Sequence, residues 1–267
     1  MGLAPMHTWK PDAYGEAPGL VGVLLAGCAT SCAFLAILRF YQIARGAGEL
    51  AFVENVMIAT GLFSMVVGAI FMARQKDYKR LLAYSSVEHM GILVLGIGIG
   101  GAAIFGSLLH LLANGFTKGA LFLSAGNIHR TYQSKLTADV TGAIRRIPFS
   151  AAFFLAGFLA ITATPPFAPF ISELTIVRAA FERDRMLVGA IFLATMLIVF
   201  VSMGSTVIRM VQGTPSTTVL ASEVSDRFIT VFPIGLFILL SLMLGLFIPG
   251  PLADLLRDAT LALVGTP

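Results

Sequence analysis

Residues 101–128 read GAAIFGSLLHLLANGFTKGALFLSAGNI, an apolar run in which Lys118 is the sole Asp, Glu, Lys or Arg. His110, Asn114 and Lys118 stand at i, i+4 and i+8. On a helix that spacing stacks them along one face over about 12 Å. A lysine at bilayer depth costs at least about 2.5–3.5 kcal/mol on insertion scales, so it must face the protein interior or water. The stretch predicts a membrane helix with a polar track along its inner face.

Composition points the same way. Of 267 residues, 57% are hydrophobic and 12% charged, and mean hydropathy is +0.89. Soluble domains carry roughly 25% charge, so an ordinary soluble enzyme is excluded. The net charge of +4 is scattered and forms no basic patch of the kind nucleic acid needs. Cys28 and Cys32 are the two cysteines, one turn apart in an apolar segment. Two ligands fall short of a four-coordinate site, so they are expected as small packing residues, with no metal centre. The 11 Met and 21 Phe are expected as lipid-facing and core filler.

The expected fold is an all-α integral membrane protein. Seven apolar stretches, at about 20–43, 52–73, 81–100, 102–128, 148–177, 187–211 and 228–249, are long enough to span about 30 Å of hydrocarbon. Seven spans alternate the sides of the connecting loops. One side collects Lys10, Arg74, Lys76, Lys79, Arg80, Arg130, Lys135, Arg145, Arg146, Arg209 and Arg227, eleven in all. The other has Arg39, Arg45, Arg178, Arg183, Arg185 and Arg257, six in all. Positive charge favours the inside, which puts the N-terminus in the cytoplasm and the C-terminus outside.

The fifth span contains Thr164-Pro165-Pro166-Phe167-Ala168-Pro169. Pro165, Pro166 and Pro169 remove backbone donors and clash with preceding carbonyls, so a break is expected there. Irregular backbone at membrane depth is tolerated where it is buried or lines a watery cavity, and broken helices are where transporters place ion sites. Glu173, four residues past Pro169, is a candidate ion-handling carboxylate; a helix-start Glu favoured by the dipole is the plainer alternative. The third span opens KRLLAYSSVEHMG over 79–91 and carries Glu88 and His89 about two turns in. Chains of Glu, His and Lys are what proton relays use, and His titrates near neutral pH. Neighbours in sequence do not share a helix face, so one of the two is expected to point inward and the other to a different contact; a hydrogen-bonded interfacial pair is the alternative. Gly96-Ile97-Gly98-Ile99-Gly100-Gly101 formally matches a nucleotide-loop pattern, but no βαβ unit surrounds it. It reads as close helix packing followed by a turn.

Three motifs together carry a family resemblance. Residues 5–18, PMHTWKPDAYGEAP, resemble the P-L-H-T-W-L-P-D-A-H-x-E-A-P signature of the antiporter-like subunits. These build the membrane arms of respiratory complex I, of Mrp-type sodium/proton antiporters and of membrane-bound [NiFe]-hydrogenases. Residues 77–86, DYKRLLAYSS, look like the family's D-x-K-R-L-x-A-Y-S-S, and His110 to Gly126 is similar to its H-x-x-x-H-x-x-x-K-x-x-L-F-x-x-x-G helix. The Ser-Ser-Val-Glu-His-Met-Gly wording looks most like the hydrogenase-4 component F, formate hydrogenlyase branch. The resemblance implies the second half, helices eight to fourteen, of a subunit with about fourteen helices in two inverted repeats. It implies one membrane domain over 1–267: a loop and broken-helix remnant to 19, transmembrane helices over 20–249 and a tail over 250–267.

By resemblance, Lys118, His110, Lys79 and Glu173 match positions of the family's ion path. Ser31 falls where many members carry a central lysine, and Asn114 replaces a second histidine. The implied function is translocation of protons, or alternatively sodium ions, in a redox-driven complex of NADH-quinone oxidoreductase or hydrogenase-4 type. The path would use Lys118, His110, Glu173, Lys79, Glu88 and His89, with Asn114 and Ser31 as secondary polar positions. No redox cofactor is expected in this chain, because two cysteines cannot ligate a cluster. Partner subunits would carry iron–sulfur clusters and nickel–iron. Implied partners are other membrane subunits, a peripheral redox arm, a separate polypeptide supplying the first half, and the lipid of a bacterial or archaeal cytoplasmic membrane. The alternatives are a stand-alone Mrp-type exchanger and a non-conducting scaffold or truncated fragment.

Overall fold

The computed structural model describes residues 1–215 and 225–264. Among them the chain is helical, with one isolated bridge between Asp77 and Leu136. A short α1 (Trp9–Glu16) precedes α2 (Gly19–Leu24), which runs through a π-helical turn (Leu25–Ala29) into α3 (Thr30–Gly46). Then come α4 (Leu50–Met72), α5 (Tyr78–Ile99), α6 (Ala102–Tyr132), the one-turn α7 (Ala143–Arg146), α8 (Pro148–Ile161), α9 (Ala168–Glu182) and α10 (Met186–Val211). The chain closes with α11 (Phe228–Leu246) and α12 (Gly250–Val264).

Each of the seven expected crossings has its helix. Five are long and apolar enough to span by composition: Gly19–Gly46, α4, α5, α10 and α11. The fourth, α6, is the longest at 31 residues. Its inner face carries His110, Asn114 and Lys118, all buried. The fifth is broken as the prolines require: α8 has 14 residues and α9 has 15, each short of the roughly 20 a crossing needs. Thr162–Phe167 lie between them outside helix, and Pro169 sits in the first turn of α9. Pro148 starts α8, where its missing N–H costs nothing. Asp226 caps that end from a distant loop, accepting from the Phe149 and Ser150 amides at 2.8 and 3.2 Å. The expected tail beyond 250 is a helix to Val264, with Leu256 and Leu263 buried; residues 265–267 lie outside the described part.

α5 is the hub. Of its most apolar 18 residues 94% are buried, against 17–44% in the other four apolar crossings. Those helices turn large apolar side chains outward, such as Phe40, Phe52, Leu187 and Ile229, as lipid contact demands. Cys28 and Cys32 are free and exposed, so they face outward and are not the packing residues expected. Burying α5 all round needs close helix approach, which α4 supplies through glycine. A Cβ on Gly61 would come 2.8 Å from the Gly91 carbonyl, one on Gly91 2.6 Å from the Gly61 carbonyl, and one on Gly68 2.7 Å from Glu88 Cβ. Small residues let backbones meet where lipid offers no hydrophobic drive between helices. The glycine-rich end of α5 packs the same way, with Gly98 against the Glu54 carbonyl. Gly100 and Gly101 turn the chain at φ +79° and +57°, as the motif predicts.

Charge gathers at one end of the bundle. Asp77 caps α5, its carboxylate accepting from the Lys79 and Arg80 amides at 2.8 and 3.1 Å; this explains the Asp of the D-x-K-R motif. Arg80 pairs with Asp12 and Lys135 with Glu16, both at 2.7 Å. The Lys135 ammonium holds the exposed Glu16 carboxyl below the usual carboxylate range. α1 is thereby laid along the first half of α5. At the opposite end Arg183 donates to the Ile99 carbonyl at 2.9 Å.

Gly91→Val is expected to destabilise the bundle by about 1–3 kcal/mol through overpacking. Gly46→Ala, with nothing within 4 Å of the added carbon, should leave thermal unfolding in detergent unchanged. Equal melting for the two variants would contradict the close α4–α5 contact.

Candidate functional site

Two polar clusters are buried in the middle of the bundle, both built on α5 and α6. The first surrounds Lys118. Its ammonium donates to the Leu82 carbonyl at 3.1 Å and to the Ser85 hydroxyl. The Ser85 and Ser86 hydroxyls donate to the same Leu82 carbonyl, each at 3.0 Å. The Leu82 carbonyl and the Ser85 hydroxyl thus give the lysine two oxygen acceptors on α5.

The second cluster brings three helices together. On α5, His89 places Nδ1 3.0 Å from Nε2 of His110 on α6, and the two rings stack at 5.2 Å. His110 Nδ1 lies 2.9 Å from the Ser172 hydroxyl of α9, and that hydroxyl donates to the Pro169 carbonyl at 2.9 Å. Glu88 Oε2 is 3.3 Å from His89 Nε2. Glu173 Oε1 sits 4.0 Å from His89 Nδ1 and 3.9 Å from His110 Nδ1. All five side chains are buried. Both Glu88 oxygens, both Glu173 oxygens, His89 Nε2 and Asn114 Oδ1 lack a protein hydrogen-bond partner. Buried polar atoms are nearly always paired, which sets these six apart.

The hydrogen bonds have one consistent polarity. A serine hydroxyl has one hydrogen. With Ser172 giving its own to Pro169, His110 Nδ1–H donates to Ser172. His110 Nε2 then accepts from His89 Nδ1–H, and His89 Nε2 is left as an acceptor facing Glu88. The broken helix creates this row. The half-helix α9 restarts at Ala168 and presents Ser172 and Glu173 at the depth of His110. A continuous helix through 162–167 would have no reason to turn both residues inward.

His89, His110 and Glu173 each offer a ligand atom within 4.8 Å of the others, enough to hold a metal ion. The ring nitrogens, however, are largely engaged in the row. A cleft between α8, α9 and α10, lined by Thr162, Phe170, Glu173, Phe192, Met196 and Phe200, reaches Glu173 from the side.

Glu88, His89, His110, Lys118 and Glu173 are therefore brought together. Glu88 and His89 are both interior and touch each other, against the expectation that one would point elsewhere; α5 is enclosed on every side, so no direction is outside. Asn114 is buried on the same face of α6, but neither His110 nor Lys118 bonds it. Lys79 stands apart at the charged end, donating to the Ala17 carbonyl at 2.7 Å. Ser31 is half-buried on α3, bonded to the Gly27 carbonyl at 2.7 Å, and joins neither cluster. Three residues escaped the sequence analysis. Ser85 and Ser172 are placed by packing; only Ser85 had a signal, in the YSS motif. Lys10, counted there as a loop charge, is completely buried.

Comparison with known proteins gives concordant results. A family model described as NADH:quinone oxidoreductase/Mrp antiporter, TM, matches residues 1–201. A hydrogenase-4 component F homolog of Methylacidiphilum infernorum is 33% identical over 247 residues, covering 89% of this chain and 51% of that protein. NADH-quinone oxidoreductase subunit N of Desulforudis audaxviator is 30% identical over 200 residues, covering 74% of this chain and 40% of its own. The chain thus spans about half the length of the curated relatives it matches. Its fold is shared with a chain of an archaeal membrane-bound sulfane sulfur reductase (TM-score 0.88, 23% identity, 98% of this chain and 53% of that one). It is shared also with a chain of the Mrp complex of Dietzia sp. (TM-score 0.85, 20% identity, 98% and 56%).

Ser85→Ala is expected to leave the Lys118 ammonium with the Leu82 carbonyl alone. The loss should be about 1–3 kcal/mol of stability, read as a lower melting temperature in detergent. Unchanged melting would mean that the serine does not support the lysine.

Proposed function

Because the chain belongs to the NADH:quinone oxidoreductase/Mrp antiporter transmembrane family, we propose that this antiporter-like membrane subunit carries protons along the Glu88–His89–His110–Glu173 row under the control of Lys118. The observation that carries the proposal is the hydrogen-bonded imidazole pair, flanked by two carboxyl groups and wholly buried. Imidazole takes a proton on one nitrogen and gives one from the other.

A balanced transfer follows from the polarity of the row. Glu88, as the carboxylic acid, gives its proton to His89 Nε2. His89 passes its Nδ1 proton to His110 Nε2. His110 turns its Nδ1 proton from Ser172 to Glu173, whose Oε1 lies 3.9 Å away. Each step breaks one bond to hydrogen and forms another; a new proton on Glu88, loss of one from Glu173 and ring reorientation restore the row. The Lys118 ammonium acts as the gate. A fixed positive charge beside the row repels an incoming proton; releasing that charge lets the next one in. Lys79, at the charged end, is the entry-side group, with Asn114 as a water-holding neighbour of the track. Ser31 lies off this route.

Protons are favoured over sodium ions by the donor set. Two imidazoles are poor partners for a hard cation that wants several oxygen ligands. The complex we infer is redox-driven and of hydrogenase-4 type, supported by the coverage of the hydrogenase-4 component F homolog. Its partners would be further membrane subunits and a peripheral arm holding iron–sulfur and nickel–iron centres. The lysine and arginine distribution favours a cytoplasmic location for the Lys79–Arg80 end.

In membrane vesicles containing the assembled complex, Lys118→Ala and His110→Ala are each expected to lower proton translocation at least about ten-fold while electron transfer in the partners continues. Wild-type pumping in either variant would refute the path. Pumping of sodium instead of protons in the wild type would reassign the ion.

A further inference from the structure

Lys10 is a buried cation that this path leaves unused. It lies in the second residue of α1 and is completely buried. Its ammonium donates to the Met1 carbonyl at 3.0 Å and to the Ser86 carbonyl at 3.4 Å, and it stands 5.6 Å from the centre of the Tyr14 ring. The acids of α1 are engaged elsewhere, Asp12 with Arg80 and Glu16 with Lys135. A lysine held in the interior by carbonyls and a ring is costly, and an intramembrane ionisable group of this kind marks function by default.

Its position on α5 is informative. Lys10 bonds Ser86, Lys118 bonds Ser85, and the hydroxyls of both serines share the Leu82 carbonyl with Lys118. Successive helix positions differ by about 100° and 1.5 Å. Their acceptor carbonyls, Ser86 and Leu82, are four positions apart, so the two ammonium groups meet α5 about one turn, roughly 6 Å, apart along its axis. His7, three residues before Lys10, presents a buried Nδ1 without a protein partner.

We propose that Lys10 is a second proton-carrying lysine of the track, exchanging protons with Lys118 across the Ser85–Ser86 step of α5. An N–H bond breaks at one lysine as one forms at the other, with the Ser85 hydroxyl or a water passing the proton, and nothing else is consumed. The two ammonium charges repel each other, so loading Lys10 promotes release from Lys118. This rests on Lys118 acting in proton transfer as proposed above.

The test is proton translocation per electron in vesicles holding the assembled complex, for Lys10→Leu, Lys10→Arg and Lys118→Ala. Leucine is the residue the family signature carries at this place, so the fold should accept it. Arginine keeps the charge and the carbonyl bonds but does not release its proton. The expected result is an assembled complex in which both Lys10 variants lose at least about ten-fold of the pumping while electron transfer persists. Wild-type pumping by either Lys10 variant, with Lys118→Ala defective, would overturn this inference and leave the main path standing. Wild-type pumping by Lys118→Ala would sink the main path and the inference with it. Failure of both Lys10 variants to assemble would mark Lys10 as structural and also overturn the inference.

Discussion

A charged or hydrogen-bonding group inside a membrane protein must be met by protein or water, because lipid offers nothing. The arrangement of this chain follows from that requirement applied to one helix. α5 carries Ser85, Ser86, Glu88 and His89 within a few residues, and no single face could hide them all. The solution is to bury α5 on every side. Glycine at Gly61 and Gly68 draws α4 close, α6 supplies the facing lysine and histidine, and the broken crossing delivers a serine and a carboxylate from α9. Apolar side chains fill the interior around these groups and also cover the outside, where a soluble protein would place polar ones.

The same requirement gives the site its directionality. Hydrogen bonds from Pro169 through Ser172 and His110 to His89 form a row in which each group has a fixed role as donor or acceptor, with Glu88 3.3 Å beyond its end. The broken crossing supplies the anchor of that row. One backbone carbonyl in the first turn of α9, that of Pro169, takes the Ser172 hydrogen and so decides which nitrogen of each imidazole carries hydrogen. The prolines and the histidines, widely separated in the chain, are thus parts of one device.

Much of this was legible in the sequence, for physical reasons. Spans are set by the thickness of hydrocarbon, the break by proline chemistry, and the inward face of α6 by the i, i+4, i+8 spacing of His110, Asn114 and Lys118. What could not be read was convergence. Nothing local tells Ser172 and Glu173 that they will meet His110, because that contact depends on how far α9 is drawn into the bundle. Glu88 and His89 defeated the helical-face argument, which assumes that a helix has an outside. Lys10 was misjudged because charge counting treats residues near a polar segment as loop residues, whereas α1 folds back along α5. Ser31 shows the reverse error: a position aligned with a family lysine lies on α3, away from both clusters.

α6 has one more consequence, for how the protein comes to be made. It is the longest helix, yet it is absent from those apolar enough to cross a membrane by composition, because the polar track lowers its affinity for lipid. Left alone at the insertion machinery it would hesitate, since its lysine has no acceptor until the turn at Leu82–Ser85 is already in place. The contacts favour an entry ordered along the chain, with α6 retained by the oxygens that α5 offers once the α4–α5 hairpin is in place. The residues that equip the finished protein to handle charge also make one of its segments dependent on an earlier one for entry.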